Sequence, residues 1–317
     1  MRVERLEGNP IIRPHMDARM GDNINGPSLI RVPDWLPNPL GRYYLYFGHH
    51  QGKYIRLAYA DRLEGPWRTY EVGTLTLEQS IFRDHIASPD VHVDEEPRRI
   101  RMHYHGVAQP GQLAPQDPTI QGAAFGQLSG VALSDDGLHF HSLETIVSTS
   151  YPRAFRYRDH WYVLSMPGLL YRSCDGLTNF EAGPALFDSD FRHAAVRLDG
   201  DTLTVFFSHV GDCPEGILAA EINLAGDWKS WRAAAAVTVL EPELDYEGVD
   251  LPLEPSRRGW APQRVRQLRD PGIFREGPET YLLYSVAGEH GLAIARLLER
   301  RRTTRDSAAG SAGRDQM

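Results

Sequence analysis

One pattern recurs five times along the 317-residue chain and limits what the chain can fold into. Each copy opens on a polar or Pro-containing stretch, runs through a short strand, turns, and returns through an aromatic strand to a small or polar end. The copies read "NGPSLIRV…GRYYLYFGHH", "SPDVHVDEEPRRIRMHYHG", "YPRAFRYRDHWYVLSMPG", "RHAAVRLDGDTLTVFFSHVG" and "RDPGIFREGPETYLLYSVAG". The apolar runs have strand length and are bounded by Gly, Pro, Asp or Asn, and convincing amphipathic helices are scarce. Echoes of a third strand, a polar turn and an aromatic-bearing fourth strand follow several copies, as "YADRLEGPW", "LSDDGLHF", "RSCDGLTNF" and "LAGDWKSW". Five units of about four strands each predict an all-β, five-bladed β-propeller, with units opening near residues 25, 88, 151, 192 and 269. A β-sandwich is the competing architecture, but it requires no five-fold echo. One propeller domain is expected over residues 1–299, and the small, polar, charged stretch 300–317 is expected to be a disordered tail.

The bulk numbers narrow the function classes. A formal charge of -8 argues against nucleic-acid binding, which normally shows as a basic face. No apolar run reaches the roughly 18 residues of a membrane span, so no membrane partner is expected. The opening "MRVERLEGNPIIRP" lacks an apolar signal core. The two cysteines, Cys174 and Cys213, are far apart and in no ligand-like spacing, which suits reduced thiols and a cytoplasmic setting. No dinucleotide fingerprint, phosphate-binding loop or nucleophile elbow occurs, which disfavours nucleotide cofactors and serine hydrolysis.

In a blade of this kind the first strand lies nearest the axis and the second returns antiparallel beside it. The start of strand one and the end of strand two therefore reach the same rim. That geometry gathers Asn25 with His49 and His50, Asp90 with His105, and Arg153 with Ser165. It adds His193 with Ser208 and His209, and Asp270 with Ser285. The expectation is a polar, ionisable funnel at one end of the axis, with Asp90, Asp270, His105, His193 and His209 converging on one ligand.

The motifs "SPDVHV" and "RDPGIFREGPETYLLYS", with the opening "NPIIRP…NGPSLIRV…YYLYFG", resemble those of the five-bladed furanosidase-type glycosidases, glycoside hydrolase family 43 and its relatives. The likeness covers roughly residues 8–297 as architecture. It implies inverting hydrolysis of arabinofuranosides or xylosides by an Asp base, an orienting Asp that tunes pKa, and a Glu acid. Asp90 in "SPDV" matches the orienting Asp. The base position of blade one reads "NGPS", with Asn25 and Gly26 in place of Asp and Asp22 the nearest acid. The acid position of blade three reads "TSYPRAF", where Tyr151 and Arg153 flank the proline and no carboxylate is present. Asp270 carries an "RDP" motif in blade five, outside the usual position.

Glycoside hydrolysis normally needs one protonated and one ionised carboxyl across the scissile bond. The catalytic candidates are therefore Asp22, Asp90 and Asp270, with Glu247 of the insertion "ELDYEGVDLPLEPSRRG" or His193 as proton donor. Substrate contacts are expected from Asn25, His49, His50, His105, Arg153, His209 and Arg269. Glu215 in "GDCPEG" reads as a turn residue. No cofactor is required by the sequence. His103 and His105 share one strand face, and with His49, His50, His85, His92, His193 and His209 they offer a His-bound metal on the axis; a central calcium is an alternative. The leading expectation is a glycoside hydrolase-like enzyme acting on a small carbohydrate. A His/Asp lyase or isomerase on a sugar-like metabolite and a non-catalytic sugar-binding propeller stand beside it, since fold alone does not choose.

Overall fold

The aromatic and β-branched runs pair as antiparallel hairpins, and the hairpins assemble into five four-stranded sheets. A computed structural model describes residues 1–115 and 126–298. Blade one is β2 (Asn25–Arg31), β3 (Tyr43–Gly48), β4 (Tyr54–Ala60) and β5 (Arg68–Thr76). Blade two is β6 (Arg83–Asp94), β7 (Arg99–Val107), β8 (Gln127–Ser134) and β9 (His141–Thr149). Blade three is β10 (Arg153–Tyr157), β11 (His160–Ser165), β12 (Leu169–Ser173) and β13 (Glu181–Ala185). Blade four is β14 (Phe191–Asp199), β15 (Thr202–His209), β16 (Ile217–Asn223) and β17 (Val237–Leu240). Blade five is β18 (Arg269–Glu276), β19 (Glu279–Ser285), β20 (Leu292–Leu298) and, on its outer edge, β1 (Arg2–Arg5). Helix among the described residues is confined to short 3-10 turns. The expected five-bladed propeller is the observed fold. The tail expected over 300–317 lies outside the described residues.

The ring closes through its inner strands. β2 touches β6, β10 touches β14, β14 touches β18, and β18 returns to β2. The remaining junction is made by the Ala154 amide, which donates to Asp90 Oδ2 at 2.7 Å. Apolar burial follows the same five-fold logic. Five separate core clusters occur, one at each blade-to-blade seam: Tyr44, Tyr46 and Tyr104 between blades one and two, for example, and Phe191, Phe207 and Trp231 between three and four. The alternating strand pattern thus buries its apolar side chains between sheets. The axis is left to the polar residues.

Closure by β1 is the feature that the sequence pattern does not reveal. Arg2 pairs with Leu298 and Arg5 with Ala295. Arg5 then reaches Glu247 through a bidentate pair, Nε to Oε1 at 2.7 Å and Nη2 to Oε2 at 2.9 Å.

Candidate active site

Each inner strand begins with the same backbone device. Gly26, Ser88, Tyr151, His193 and Asp270 all adopt left-handed φ, between 47° and 60°. Pro27, Pro89, Pro152 and Pro271 follow four of them, and Ala194 the fifth. The partner strands show why. Asn25 faces Gly48 while Ser28 faces Tyr46, so the inner strand carries one extra residue there. The same bulge lies between Ala87 and Asp90, between Arg192 and Ala194, and between Arg269 and Gly272. In blade three, Arg153 pairs with Leu164 while the Met166 amide bonds the Ser150 carbonyl, which again leaves one residue over. A bulged residue in the left-handed region re-aims its side chain. Here the five bulges build one ring around the axis.

Contacts across the ring fix its chemistry. The Tyr151 hydroxyl donates to Asp270 Oδ1 at 2.9 Å, and His193 Nδ1 lies 3.6 Å from the same oxygen. The rings of Tyr151 and His193 are 4.9 Å apart. Asp270 Oδ2 is buried and has no partner. Burial raises the Asp270 carboxyl to about 6, the charge of Glu289 adds to the rise, and Arg192, the Tyr151 hydrogen bond and Arg269 pull against it. At Gly26 a side chain does not fit, because a Cβ there would stand 2.9 Å from the Ser88 backbone. Of the two residues at the blade-one position, Gly26 therefore cannot be replaced by a carboxylate, and Asn25 supplies an amide instead.

A second layer surrounds Asp270. Glu289, from the turn after β19, accepts from Asn23 Nδ2 at 2.7 Å and Asn25 Nδ2 at 3.0 Å, and pairs with Arg269 Nη1 at 3.2 Å. His50 Nδ1 lies 3.6 Å from Oε2, the oxygen that the two asparagines share. Burial pushes Glu289 up, but the hydrogen bond and charge of His50, then Arg269 and Asn23, hold it well below the usual carboxylate range. Arg269 also pairs with Glu215 at 3.0 Å, and Arg192 stands 3.7 Å from Glu215. Burial lowers the Arg192 guanidinium, which lies 3.2 Å from ring nitrogens of His193 and bonds the carbonyls of Arg257 and Gly259. Burial and then Arg192 keep His193 neutral. His105 and His85 are likewise pushed down by burial, His85 to about 4. Their rings continue a contact ladder from Tyr151 through His105 and His85 to His50, which stacks on Trp260. Above them opens a cavity of about 360 Å³ lined by His50, Gln127, Met166, Arg192, His193, Arg258 and Gly259, a size usual for small-molecule sites.

Of the residues expected in this funnel, the structure brings together Asp270, His193, His50, His105, Asn25 and Arg269. The others are placed elsewhere. Asp22 has a largely exposed side chain and pairs with His15 at 2.7 Å. Glu247 is fully buried, but in the contact with Arg5, the Tyr284 hydroxyl at 2.9 Å and the amides of Glu243 and Leu244. The start of the insertion, which carries it, packs on the closing strand, and the insertion reaches the funnel only at its far end, through Arg257, Arg258, Gly259 and Trp260. His49 folds back to accept the Gln51 amide at 2.9 Å. His209 turns to Asp188, 3.1 Å away, beside a different cavity lined by Phe187, Phe191 and Phe207. Asp90 lies past the ring position, which Ser88 holds in blade two. It pairs with His103, not His105, and stands two residues beyond the ring position. Its side chain lines a cavity of about 310 Å³ with Arg31, Val93 and Arg275, at the end of the axis where the inner strands leave. Arg153 separates the two cavities. It is buried, lies 4.3 Å over the Tyr151 ring, and donates to the carbonyls of Ala194 and Pro152. Glu215, read as a turn residue, is a buried carboxylate between two arginines.

Three functional-site residues escape sequence reasoning. Tyr151 is visible only as the occupant of the position where an acid was sought. Glu289, in "AGEHG", and Trp260, in the insertion before blade five, carry no local signal. Among the described residues one group of three His, Asp or Glu side chains converges within metal-ligand range, and it is Asp90, His92 and His103. Asp270 Oδ2, Asn25 Oδ1 and the hydroxyls of Ser150, Ser208 and Ser285 are buried oxygens without hydrogen-bond partners.

No family model matches the chain. Uncharacterized protein R118 of Acanthamoeba polyphaga mimivirus is 35% identical over 332 residues, an alignment covering 93% of this chain and 90% of that protein. Among solved structures, the GH43 beta-xylosidase/alpha-arabinofuranosidase from a compost microbial metagenome, in complex with xylotriose and in a calcium-free form, superposes with a TM-score of 0.58. It shares 12% identity and covers 94% of this chain and 96% of its own. The alpha-L-arabinanase of Cellvibrio cellulosa, complexed with arabinohexaose, gives a TM-score of 0.58 at 12% identity, covering 88% and 93%. At these identities the likeness is one of fold. No helix among the described residues is long and apolar enough to cross a membrane.

Proposed function

We propose that this chain, which belongs to the same family as Uncharacterized protein R118 of Acanthamoeba polyphaga mimivirus, is a carbohydrate-active enzyme that cleaves a small glycoside in the axial funnel by acid/base chemistry. The observation that carries the reading is the Asp270 carboxyl, raised to about 6 at the base of the funnel beside an ionised Glu289. Two titratable groups pushed apart in this way mark a proton donor and an anion. Asp270 lies behind His193 of the cavity wall, 3.6 Å away, and its buried, unpartnered Oδ2 is assigned as the proton donor to the glycosidic oxygen while Tyr151 holds Oδ1 in place. Glu289 acts through His50, whose ring lines the cavity and can draw a proton from an attacking water. Trp260, stacked on His50 and partly exposed, offers a face to a sugar ring. The xylotriose and arabinohexaose bound by proteins of this fold support a carbohydrate ligand.

A second reading, a His/Asp lyase or isomerase, is favoured by one observation. The cavity lining contains a neutral His193 and no carboxylate of its own. The experiment that separates the two is a screen of aryl furanosides and pyranosides in ¹⁸O-water. Hydrolysis places the label in the released sugar, and elimination gives an unsaturated sugar without label. Absence of any turnover across the screen, together with absence of sugar binding in a thermal-shift assay, overturns both readings.

A further inference from the structure

The cluster of Asp90, His92 and His103 plays no part in the funnel. Asp90 and His92 are two apart on β6 and share a face, and His103 stands opposite Asp90 on β7. Strand register alone therefore gathers the three on the side of blade two that meets blade three. One ligand atom from each lies within 4.8 Å of the others. His92 Nε2 is 2.9 Å from Asp90 Oδ2, and the two imidazoles stand edge to face with centroids 6.1 Å apart.

His103 is the anomaly. It is 0% exposed, and neither ring nitrogen closes a hydrogen bond of good geometry, the backbone of Gly176 being the one polar group that approaches the ring. A neutral imidazole has one donor and one acceptor, and leaving both unmade in a core is unfavourable where an apolar ring would fill the same space. The nearest cation does not answer the need. Arg101 pairs with Asp94 at 2.9 Å and lies 4.2 Å over the Trp161 ring.

We propose that Asp90, His92 and His103 bind one divalent transition-metal ion of the zinc class. Two imidazoles and a carboxylate are a donor set that zinc takes with a fourth position left open, whereas calcium and magnesium prefer shells of oxygen. Outer contacts are in place: the Ala154 amide orients Asp90 Oδ2 at 2.7 Å, and the backbone of Gly176 acts on the His103 ring. An entry path exists as well, since Asp90 and His92 line the 310 Å³ cavity at the mouth remote from Asp270.

The test is equilibrium dialysis of the full chain, stripped with EDTA, against Zn²⁺, with metal content read by mass spectrometry. His92→Ala, His103→Gln and the surface control His139→Ala are run alongside. One retained equivalent is expected in wild type and His139→Ala, with affinity at least about tenfold weaker in His92→Ala and His103→Gln. His92 is partly exposed, so its variant keeps the fold even where the buried His103 variant does not. Cobalt(II) in place of zinc is expected to give the visible absorption of a four-coordinate site in wild type and to lose it in His92→Ala. No retained equivalent in wild type, or equal zinc uptake in wild type and His92→Ala, overturns the proposal.

Discussion

Tyr151 and Asp270 occupy the same left-handed bulge position in blades three and five, and the tyrosine hydroxyl meets the aspartate across the axis at 2.9 Å. Two repeats of one local structure thus supply the two halves of one hydrogen bond. The charge state of that pair governs most of what can be measured at the funnel.

Replacing Asp270 with Asn removes the proton donor and keeps an acceptor for Tyr151. Turnover on a hydrolysable aryl glycoside is expected to fall at least about a hundredfold, the lower end for a positioned acid-base group. Circular dichroism is expected to be unchanged. Wild-type turnover in Asp270→Asn would make the aspartate a structural member of the ring.

The pH profile gives a sharper check, because two variants move it in opposite directions. Asp270 donates only while protonated, so activity is expected to fall as pH rises through about 6. The Tyr151 hydrogen bond lowers this pKa, and Tyr151→Phe is expected to shift the alkaline limb to higher pH. The charge of Glu289 raises it, and Glu289→Gln is expected to shift the limb to lower pH. Limbs that move together, or not at all, assign the titration to another group.

Stability should carry the same signature. The Asp270 pKa in the folded protein lies above its ordinary 3.8, so its contribution is fully present below that value and lost as pH rises through about 6. Asp270→Asn is therefore expected to stabilise the protein above pH 6 by up to about 3 kcal/mol, and to make little difference near pH 4. Urea denaturation at the two pH values checks this. A gain that is equal at both is not linked to the proton.

Glu247 offers the contrasting case. Arg5→Met leaves this fully buried carboxylate without its bidentate partner, at an expected cost of about 3–5 kcal/mol. Turnover per folded molecule is expected to stay at the wild-type level, in Arg5→Met and in Glu247→Gln alike. A hundredfold loss of turnover in a folded Glu247→Gln would return this residue to the list of proton donors.

The fold is legible in the sequence because each blade solves the same packing problem, and the solution is written out five times in aromatic strands such as "YYLYFG" and "TYLLYSV". β1 is not legible, since four residues, "RVER", carry too little periodicity to announce a strand. At the site the dipeptide Asp270-Pro271 stands at the ring position, and Tyr151-Pro152 holds the same place in blade three, where reasoning from sequence puts Arg153. The bulge is silent in sequence, and so is the fact that Ser88, not Asp90, holds in blade two the position that Asp270 holds in blade five. Glu289 and Glu215 are legible only in three dimensions. A buried carboxylate depends on partners such as Arg192 and Arg269, which lie on other strands, and no local pattern encodes that pairing.

The partnership of Arg2 with Leu298 in blade five has a kinetic side. Four blades are made of strands adjacent in the chain, but the fifth joins segments separated by nearly its whole length. Such a contact carries the largest loop-closure entropy and is expected to form late. On the ribosome, β1 emerges first and waits unpaired for β20, which emerges among the last described residues. Its brevity and its charged residues Arg2, Glu4 and Arg5 suit a strand that must stay unpaired in the meantime, because short, charged edges resist pairing with other chains. Once seated, the same strand acts as a latch on a circular assembly, and its release sets the rate at which the circle opens.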